Sequence, residues 1–587
     1  METHYTGERS IGILLSLMKS HDVRKVIASP GSTNITLVAS MQQDSYFEMY
    51  SAPDERSAAY MACGLSAESK EPVAISCTGA TASRNYVPGL TEAYYRKLPV
   101  LAITSSQHIG QVGQYIPQVI DRSVLMNDIA NLSVQVPIIH DEMDAWATNV
   151  AINKALLELR HRGGGPVHIN LQTSYPFYPI DFSVKELSVS RVINRVEYGD
   201  ERPELTGKNI AIFVGNHEKM DTELIRAIDE FCEKYNAVVL CDQTSNYTGE
   251  YGVSASLVTS QDMYRATCLD IDVLIHIGQV SGAYLNITPK QVWRVNPDGE
   301  IRDVFHKLKY VFEMRELDFF KEYSIMAKAT VVSNSYYAQW QAEYQSLLSK
   351  VSELPLSNIW MAQKLADRIP SGSTLYLGIL NSLRAWNFCK IRKDITGYSN
   401  TGGFGIDGGL SSLVGGALNN RNVLHFEILG DLAFFYDMNV LGNHHLSATI
   451  RILLINNGKG TEFRNYTHFA SEFGDEADKF IAAGGHYGNK SPNLVKHYAE
   501  DLGFRYLSAK SKDEFETQMD IFCSPNITEQ PILFEVFTDN IDENNALKTM
   551  RTLNVSKISL AKQMVKNVAK ETLGNKGFNK IKKMIKV

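Results

Sequence analysis

Runs of four to seven residues rich in Val, Ile, Leu and Ala, mostly ended by Gly, Ser or Asn, alternate along most of the chain with amphipathic segments of helical length. Short runs that are apolar at consecutive positions fit strands covered on both faces, the pattern of a parallel sheet flanked by helices. The first third predicts strands at Val23–Ala28, Pro72–Cys77, Val100–Thr104 and Val167–Leu171, with helices such as Ser10–Ser20 and Arg56–Ser66 between them. A second set follows at Asn209–Val214, Ala237–Cys241, Val273–Ile277 and Val292–Val295, and a third at Thr374–Leu380, Val423–Leu429, Ile450–Ile455 and Ile532–Phe537. Regularity lapses around 181–208 and 325–357. The pattern predicts an α/β fold of three parallel-sheet domains, at 1–180, 200–345 and 346–545. A tail at 546–587 follows, and from about 556 nine lysines against one acid recur with Ile, Leu, Val and Met at near-helical spacing. Such a tail suits a membrane surface or an acidic partner, or else a solvated or self-docked terminal helix.

Composition changes this picture little. With 44% hydrophobic and 21% charged residues the chain reads as an ordinary soluble protein. A formal charge of −7 gives no reason to expect nucleic acid. Seven scattered cysteines without a C-x-x-C pair, and a start, METHYTGERS, without a basic-then-apolar design, lead to the expectation of a cytoplasmic protein.

The richest segment is GDLAFFYDMNVLGNHHLSATIRILLINNGKG at 430–460. Gly430-Asp431 follows one apolar strand and Asn456-Asn457-Gly458 follows another, placing a carboxylate and amide oxygens at the carboxyl ends of two parallel strands, where such folds hold ligands. Asp, Asn and a backbone carbonyl, completed by diphosphate oxygens and water, suit octahedral Mg²⁺. Each dipeptide alone would be no more than a turn after a strand. In the other half, Glu55 opens a helix within Ser51-Ala-Pro-Asp-Glu-Arg-Ser-Ala-Ala-Tyr60, a position where an acid commonly just complements the helix dipole.

Taken together with Ser29-Pro-Gly-Ser32, Cys77-Thr-Gly-Ala-Thr-Ala82, Gly164-Gly-Pro-Val-His-Ile-Asn170, Asn381-Ser382 and Gly405-Ile-Asp-Gly408, in this order, these motifs resemble the thiamine-diphosphate-dependent enzymes. They are most similar to the menaquinone-pathway SEPHCHC synthases, which join 2-oxoglutarate to isochorismate. The resemblance implies a pyrimidine-binding domain, a central Rossmann-like domain and a diphosphate-binding domain, in a homodimer or homotetramer whose active sites are shared between subunits. It implies Mg²⁺ on Asp431, the Asn457 side chain and the Lys459 carbonyl. Ser382, Gly405, Gly430 and Leu432 would lie around the cofactor, with Ile406 as the apolar wedge behind it. Glu55 would hold a proton on the aminopyrimidine ring. Gln118, with Gln114 as a rival, and His108 would face the substrate, while the pair His444–His445 reads as solvent-facing helix surface.

The same resemblance leads one to expect arginines where this chain has Thr33, Gln107 and Thr401. A guanidinium fork grips a carboxylate through two hydrogen bonds, and removing one buried partner costs about 2–5 kcal/mol. Arg84, Arg384, Arg392 and Lys393 are candidates to restore the charge. The expected function is therefore a carboligase that decarboxylates a 2-oxo acid donor and joins the remainder to a different acceptor. The alternatives are a simple decarboxylase releasing an aldehyde and a non-catalytic binding descendant. A flavin-binding relative is not expected, since the middle third has no clear dinucleotide fingerprint.

Overall fold

The computed structural model describes residues 4–174, 181–327 and 335–555; the lysine-rich stretch from 556 onward, and with it most of the expected tail, lies outside them. The chain forms two compact units, one from Met1–Arg202 with Asp298–Glu313, the other from Pro203–Pro297 with Met314 onward.

The first unit is built on six parallel strands in the order Glu48–Ser51, Lys25–Ala28, Val73–Cys77, Val100–Ser106, Val167–Gln172, Leu132–Val136. Successive residues point to opposite faces. Ala74, Leu101 and Ile103 pack with helices Arg9–Ser20 and Glu142–Glu158, whereas Val73, Ile75 and Ala102 pack under helices Glu55–Ser69 and Val87–Tyr95. Burial on both faces is why inner strands such as Val73–Cys77 read as apolar runs. Gly89 lets the last two helices close up, since a Cβ there would lie 2.4 Å from that of Ala59. A further parallel pair, Asn194–Val196 with Leu308–Phe312, belongs to this unit.

The second unit holds two sheets. Five parallel strands run in the order Gly252–Ser254, Ala237–Cys241, Ile210–Val214, Val273–Ile277, Gln291–Val295. The crevice at their carboxyl ends, where such sheets take nucleotides, is filled by the chain itself. Asn216 Nδ2 donates to Thr401 Oγ1 at 2.8 Å, and Asn246 exchanges hydrogen bonds of 3.0 and 2.8 Å with the Gly397 backbone. The other sheet has six parallel strands, Thr396–Tyr398, Thr374–Leu377, His425–Gly430, Ile450–Asn456, Ile532–Phe537 and Arg505–Ala509. Its register pairs Gly430 with Ile455, so Asp431 and Asn456-Asn457 leave adjacent strands at the same level.

Two local expectations need correction. The strand expected to reach Leu380 ends at Leu377: Gly378 lies against Leu429, and Leu380 takes a left-handed turn, φ +69°, into helix Asn381–Trp386. His444 and His445 are exposed as expected, but on a turn beyond the 3₁₀ segment Met438–Gly442 and not on a helix. Helix Asn540–Arg551 spans the expected boundary at 546, with Leu547 and Met550 buried. The described residues contain no helix long and apolar enough to cross a membrane.

His168 gives the first unit a measurable pH dependence. Its imidazole is buried between Thr104 Oγ1 at 2.7 Å and Ser133 Oγ at 2.8 Å, and burial, aided by the Arg122 charge, pushes its pKa down to about 3. The unfolded chain accepts a proton below about pH 6.5 that the folded chain refuses, so this contribution is present above that pH and is lost as pH falls toward 3. Between pH 7 and 5.5 the wild type should lose about 1 kcal/mol more stability than His168→Gln in urea unfolding. Equal losses would contradict this.

Candidate active site

Strand His425–Gly430 passes directly into helix Asp431–Asp437, which buries Asp431 at the strand end. Its Oδ2 accepts the Gly458 amide at 2.9 Å. Burial raises this carboxyl to about 7, while the amides of Leu432 and Gly458 pull the other way. On the adjacent strand the two asparagines divide the work. Asn456 Nδ2 donates to Glu535 Oε1 at 2.6 Å, and Tyr506 OH donates to Glu535 Oε2 at 2.7 Å, so Asn456 is held in the sheet. Asn457 Oδ1 is buried without a partner. The turn between Asn457 and Lys459 needs glycine, because Gly458 has φ +77° and a Cβ there would lie 2.5 Å from Asn489 Nδ2. Lys459 Nζ is drawn aside to Asp478 at 2.5 Å.

Asp431, Asn457, Lys459, Ser382, Ile406 and Leu432 share the wall of one pocket of about 140 Å³, to which Gly430 also contributes. Gly405 is not in that wall; it lines a separate small cavity on which Ile406 also borders. A partnerless buried carbonyl oxygen, a carboxylate held by main-chain amides, and the wall residue Lys459 with its main-chain carbonyl make an all-oxygen donor set. That fits a hard cation such as Mg²⁺.

Several wall residues were not read from the sequence. Asn358 Nδ2 donates to Ser382 Oγ at 3.2 Å, and the Asn358 amide donates to both oxygens of buried Glu543, at 3.1 Å each. Burial lifts the Glu543 carboxyl to about 7. Arg384 pairs with Glu462 at 2.5 Å and lies 4.5 Å over the Tyr284 ring. These residues stand far apart in sequence and carry no local motif.

In the first unit Glu55, His108 and Gln118 all follow carboxyl ends of strands and so share one edge of the sheet. The helix at Glu55 is capped by its neighbour Asp54, which accepts the Ser57 amide at 2.8 Å. Glu55 is thus free of that duty; half-buried, it accepts Asn85 Nδ2 at 3.1 Å on one oxygen. His108 is exposed, its Nδ1 accepting the Gly110 amide at 3.1 Å. Gln118 is exposed with φ +64°, and its carbonyl would lie 3.0 Å from a Cβ on Gly79, which ties the loop to the turn after Val73–Cys77. Gln114 is exposed as well.

Residues 12–125 match the family model "Thiamine pyrophosphate enzyme, N-terminal TPP binding domain". The chain is 31% identical over 564 residues to 2-succinyl-5-enolpyruvyl-6-hydroxy-3-cyclohexene-1-carboxylate (SEPHCHC) synthase of Phocaeicola vulgatus, covering 93% of this chain and 98% of that protein. The synthase of Bacteroides fragilis is 30% identical with the same coverage. The chain belongs to the thiamine-diphosphate-dependent, SEPHCHC-synthase-like family. A solved Rhodococcus jostii RHA1 thiamine diphosphate-dependent 4-hydroxybenzoylformate decarboxylase aligns with 90% of this chain and 99% of its own, at 15% identity and a TM-score of 0.37, too distant a likeness to argue from.

Against that family the three neutral positions acquire geometry. Thr33 is buried, its hydroxyl 2.7 Å from Thr78 Oγ1 and donating to the Ser105 carbonyl at 3.1 Å. Thr401 is buried and accepts Asn216. Gln107 is half-buried. Of the four candidate replacements, Arg84 is bonded to the Asp121 carbonyl, Arg392 to Asp394 and Lys393 to the Gly249 carbonyl, while Arg384 lies in the wall of the candidate pocket itself, paired with Glu462.

Gly458→Ala should destabilise the protein by about 1–3 kcal/mol through its left-handed backbone. Gly415→Ala, on an exposed helical position with nothing within 4 Å, should not. Chemical unfolding compares them, and equal stabilities would show that the turn tolerates a side chain.

Proposed function

We propose that the protein is a thiamine-diphosphate- and Mg²⁺-dependent carboligase that decarboxylates a 2-oxo acid and joins the remainder to an acceptor poorer in carboxylates than isochorismate. The partnerless Asn457 carbonyl oxygen beside buried Asp431, in a chain of this family, carries the cofactor half of the reading. When bound, thiamine diphosphate supplies a carbon nucleophile that takes up the electrons left by departing CO₂.

The chain's own residues do the rest. Asp431, Asn457 Oδ1 and the Lys459 carbonyl hold the metal and through it the diphosphate. Ser382, fixed by Asn358, adds a hydroxyl at the same end. Ile406 presses on the cofactor from the pocket wall. Glu55 holds a proton on the pyrimidine ring nitrogen, with Asn85 occupying its other oxygen. A positioned acid–base group of this kind contributes about 10²–10⁴ in rate. His108 and Gln118 face the substrate from the same sheet edge.

Glu55 and Asp431 belong to different subunits in this reading, the protein being a homodimer or homotetramer. Exposed Tyr60, Met61 and Tyr95 on the helices beside Glu55 support an interface there.

The acceptor half rests on Thr33 and Thr401. Both side chains are buried and hydrogen-bonded within the chain, so neither end of the expected carboxylate grip is charged. The test is a screen of 2-oxo acids for CO₂ release by cofactor-loaded enzyme, followed by product analysis with and without aldehyde and ketone acceptors. Ligated product from an uncharged acceptor, with turnover of 2-oxoglutarate and isochorismate far below about 1 s⁻¹, is the expected result. Free aldehyde as sole product would favour the simple decarboxylase. Efficient turnover of the isochorismate pair would refute the acceptor reading.

A further inference from the structure

Behind Ile406 lies a group that the cofactor chemistry does not use. Glu427 sits in the middle of strand His425–Gly430, fully buried, with neither carboxylate oxygen hydrogen-bonded. It lines a cavity of about 20 Å³ together with Tyr376, Ser399, Asn400 and Ser412. That is room for about one water-sized sphere beside the buried carboxyl. The lining offers hydroxyl and amide oxygens but no lysine, arginine or histidine.

The nearest positive end is already answered. Helix Gly409–Asn419 begins against the cavity, where a Cβ on Gly409 would lie 3.1 Å from Glu427 Oε1. Asp437 takes this helix's Ser411 amide and hydroxyl, both at 2.6 Å. Two carboxylates thus meet a helix N-terminus worth about half a positive charge. A second carboxylate buried with no donor is costly unless a proton or a cation neutralises it.

We propose that Glu427, with the oxygens of Ser399, Asn400 and Ser412, forms a site for one monovalent cation, Na⁺ or K⁺. A divalent ion fits less well, because the single carboxylate in the lining would leave half of its charge uncompensated beside a buried group. Burial, reinforced by Asp437, drives the Glu427 carboxyl well above the ordinary carboxylate range, so the ion competes with a proton and binds better as pH rises. Ile406 borders both this cavity and the larger pocket, so a bound ion braces the turn Gly405–Gly408 from behind.

The experiment uses the full chain without thiamine diphosphate or Mg²⁺, so its outcome is independent of the proposed reaction. Thermal unfolding is followed at mildly alkaline pH in NaCl, KCl and tetramethylammonium chloride at equal ionic strength. Na⁺ or K⁺ should raise the wild-type Tm saturably above the tetramethylammonium value. Glu427→Gln should lose that response and be at least as stable as wild type in tetramethylammonium. A Tl⁺-soaked wild-type crystal should show an anomalous peak in the cavity, which keeps the test decisive if the variant folds poorly. A wild-type Tm indifferent to the cation, the same response in Glu427→Gln, or no Tl⁺ peak would overturn the proposal in favour of a protonated carboxyl beside a water.

Discussion

The candidate site depends on one hydrogen bond at the end of a sheet, from the Gly458 amide to the buried Asp431 carboxylate. It ties the ends of two adjacent strands, fixes a left-handed glycine between Asn457 and Lys459, and leaves the Asn457 carbonyl oxygen pointing at no partner. The strand register sets up this meeting, since Gly430 pairs with Ile455 and brings both strand ends to one level. Burial raises the Asp431 carboxyl to about 7, as it does the Glu543 carboxyl on the same pocket wall. The neighbouring Asn456, whose Nδ2 donates to Glu535, shows what the structural version of the same residue looks like.

In the proposed reading, cofactor machinery and substrate grip part company. The positions proposed to hold the metal and diphosphate, Asp431, Asn457 and Lys459, share one pocket wall. The positions where a charged grip is expected have turned inward, Thr33 toward Thr78 and Ser105, and Thr401 toward Asn216. A threonine satisfied within its own unit is not an arginine awaiting a substitute. This is why the acceptor, and not the carbon chemistry, is the part of the function expected to differ.

Much of this was legible in the sequence because it is local. Strands covered on both faces, such as Val73–Cys77 and Ile450–Asn456, show as apolar runs, and Gly430-Asp431 and Asn456-Asn457 stand directly after two of them. The strands Glu48–Ser51, Leu132–Val136, Gly252–Ser254, Thr396–Tyr398 and Arg505–Ala509 went unread because each lies at a sheet edge, where half-covered residues need not be apolar. The pocket partners Asn358, Glu543 and Glu462 were hidden because they are tertiary meetings of distant segments, Glu462 with an Arg384 that the sequence had offered only as a candidate charge. Glu427 is different. A lone acid in the run His425-Phe-Glu-Ile-Leu429 was visible, but only its burial without a partner gives it meaning.

The central claim is that Asp431 and Asn457 hold a divalent metal that in turn holds thiamine diphosphate. Isothermal calorimetry of the cofactor with wild type and Asp431→Ala, each with and without Mg²⁺, tests it most directly. Wild type should bind thiamine diphosphate tightly only when Mg²⁺ is present, and Asp431→Ala should show no Mg²⁺-dependent binding while remaining folded. Unchanged, Mg²⁺-dependent affinity in Asp431→Ala would contradict the account and place the metal elsewhere.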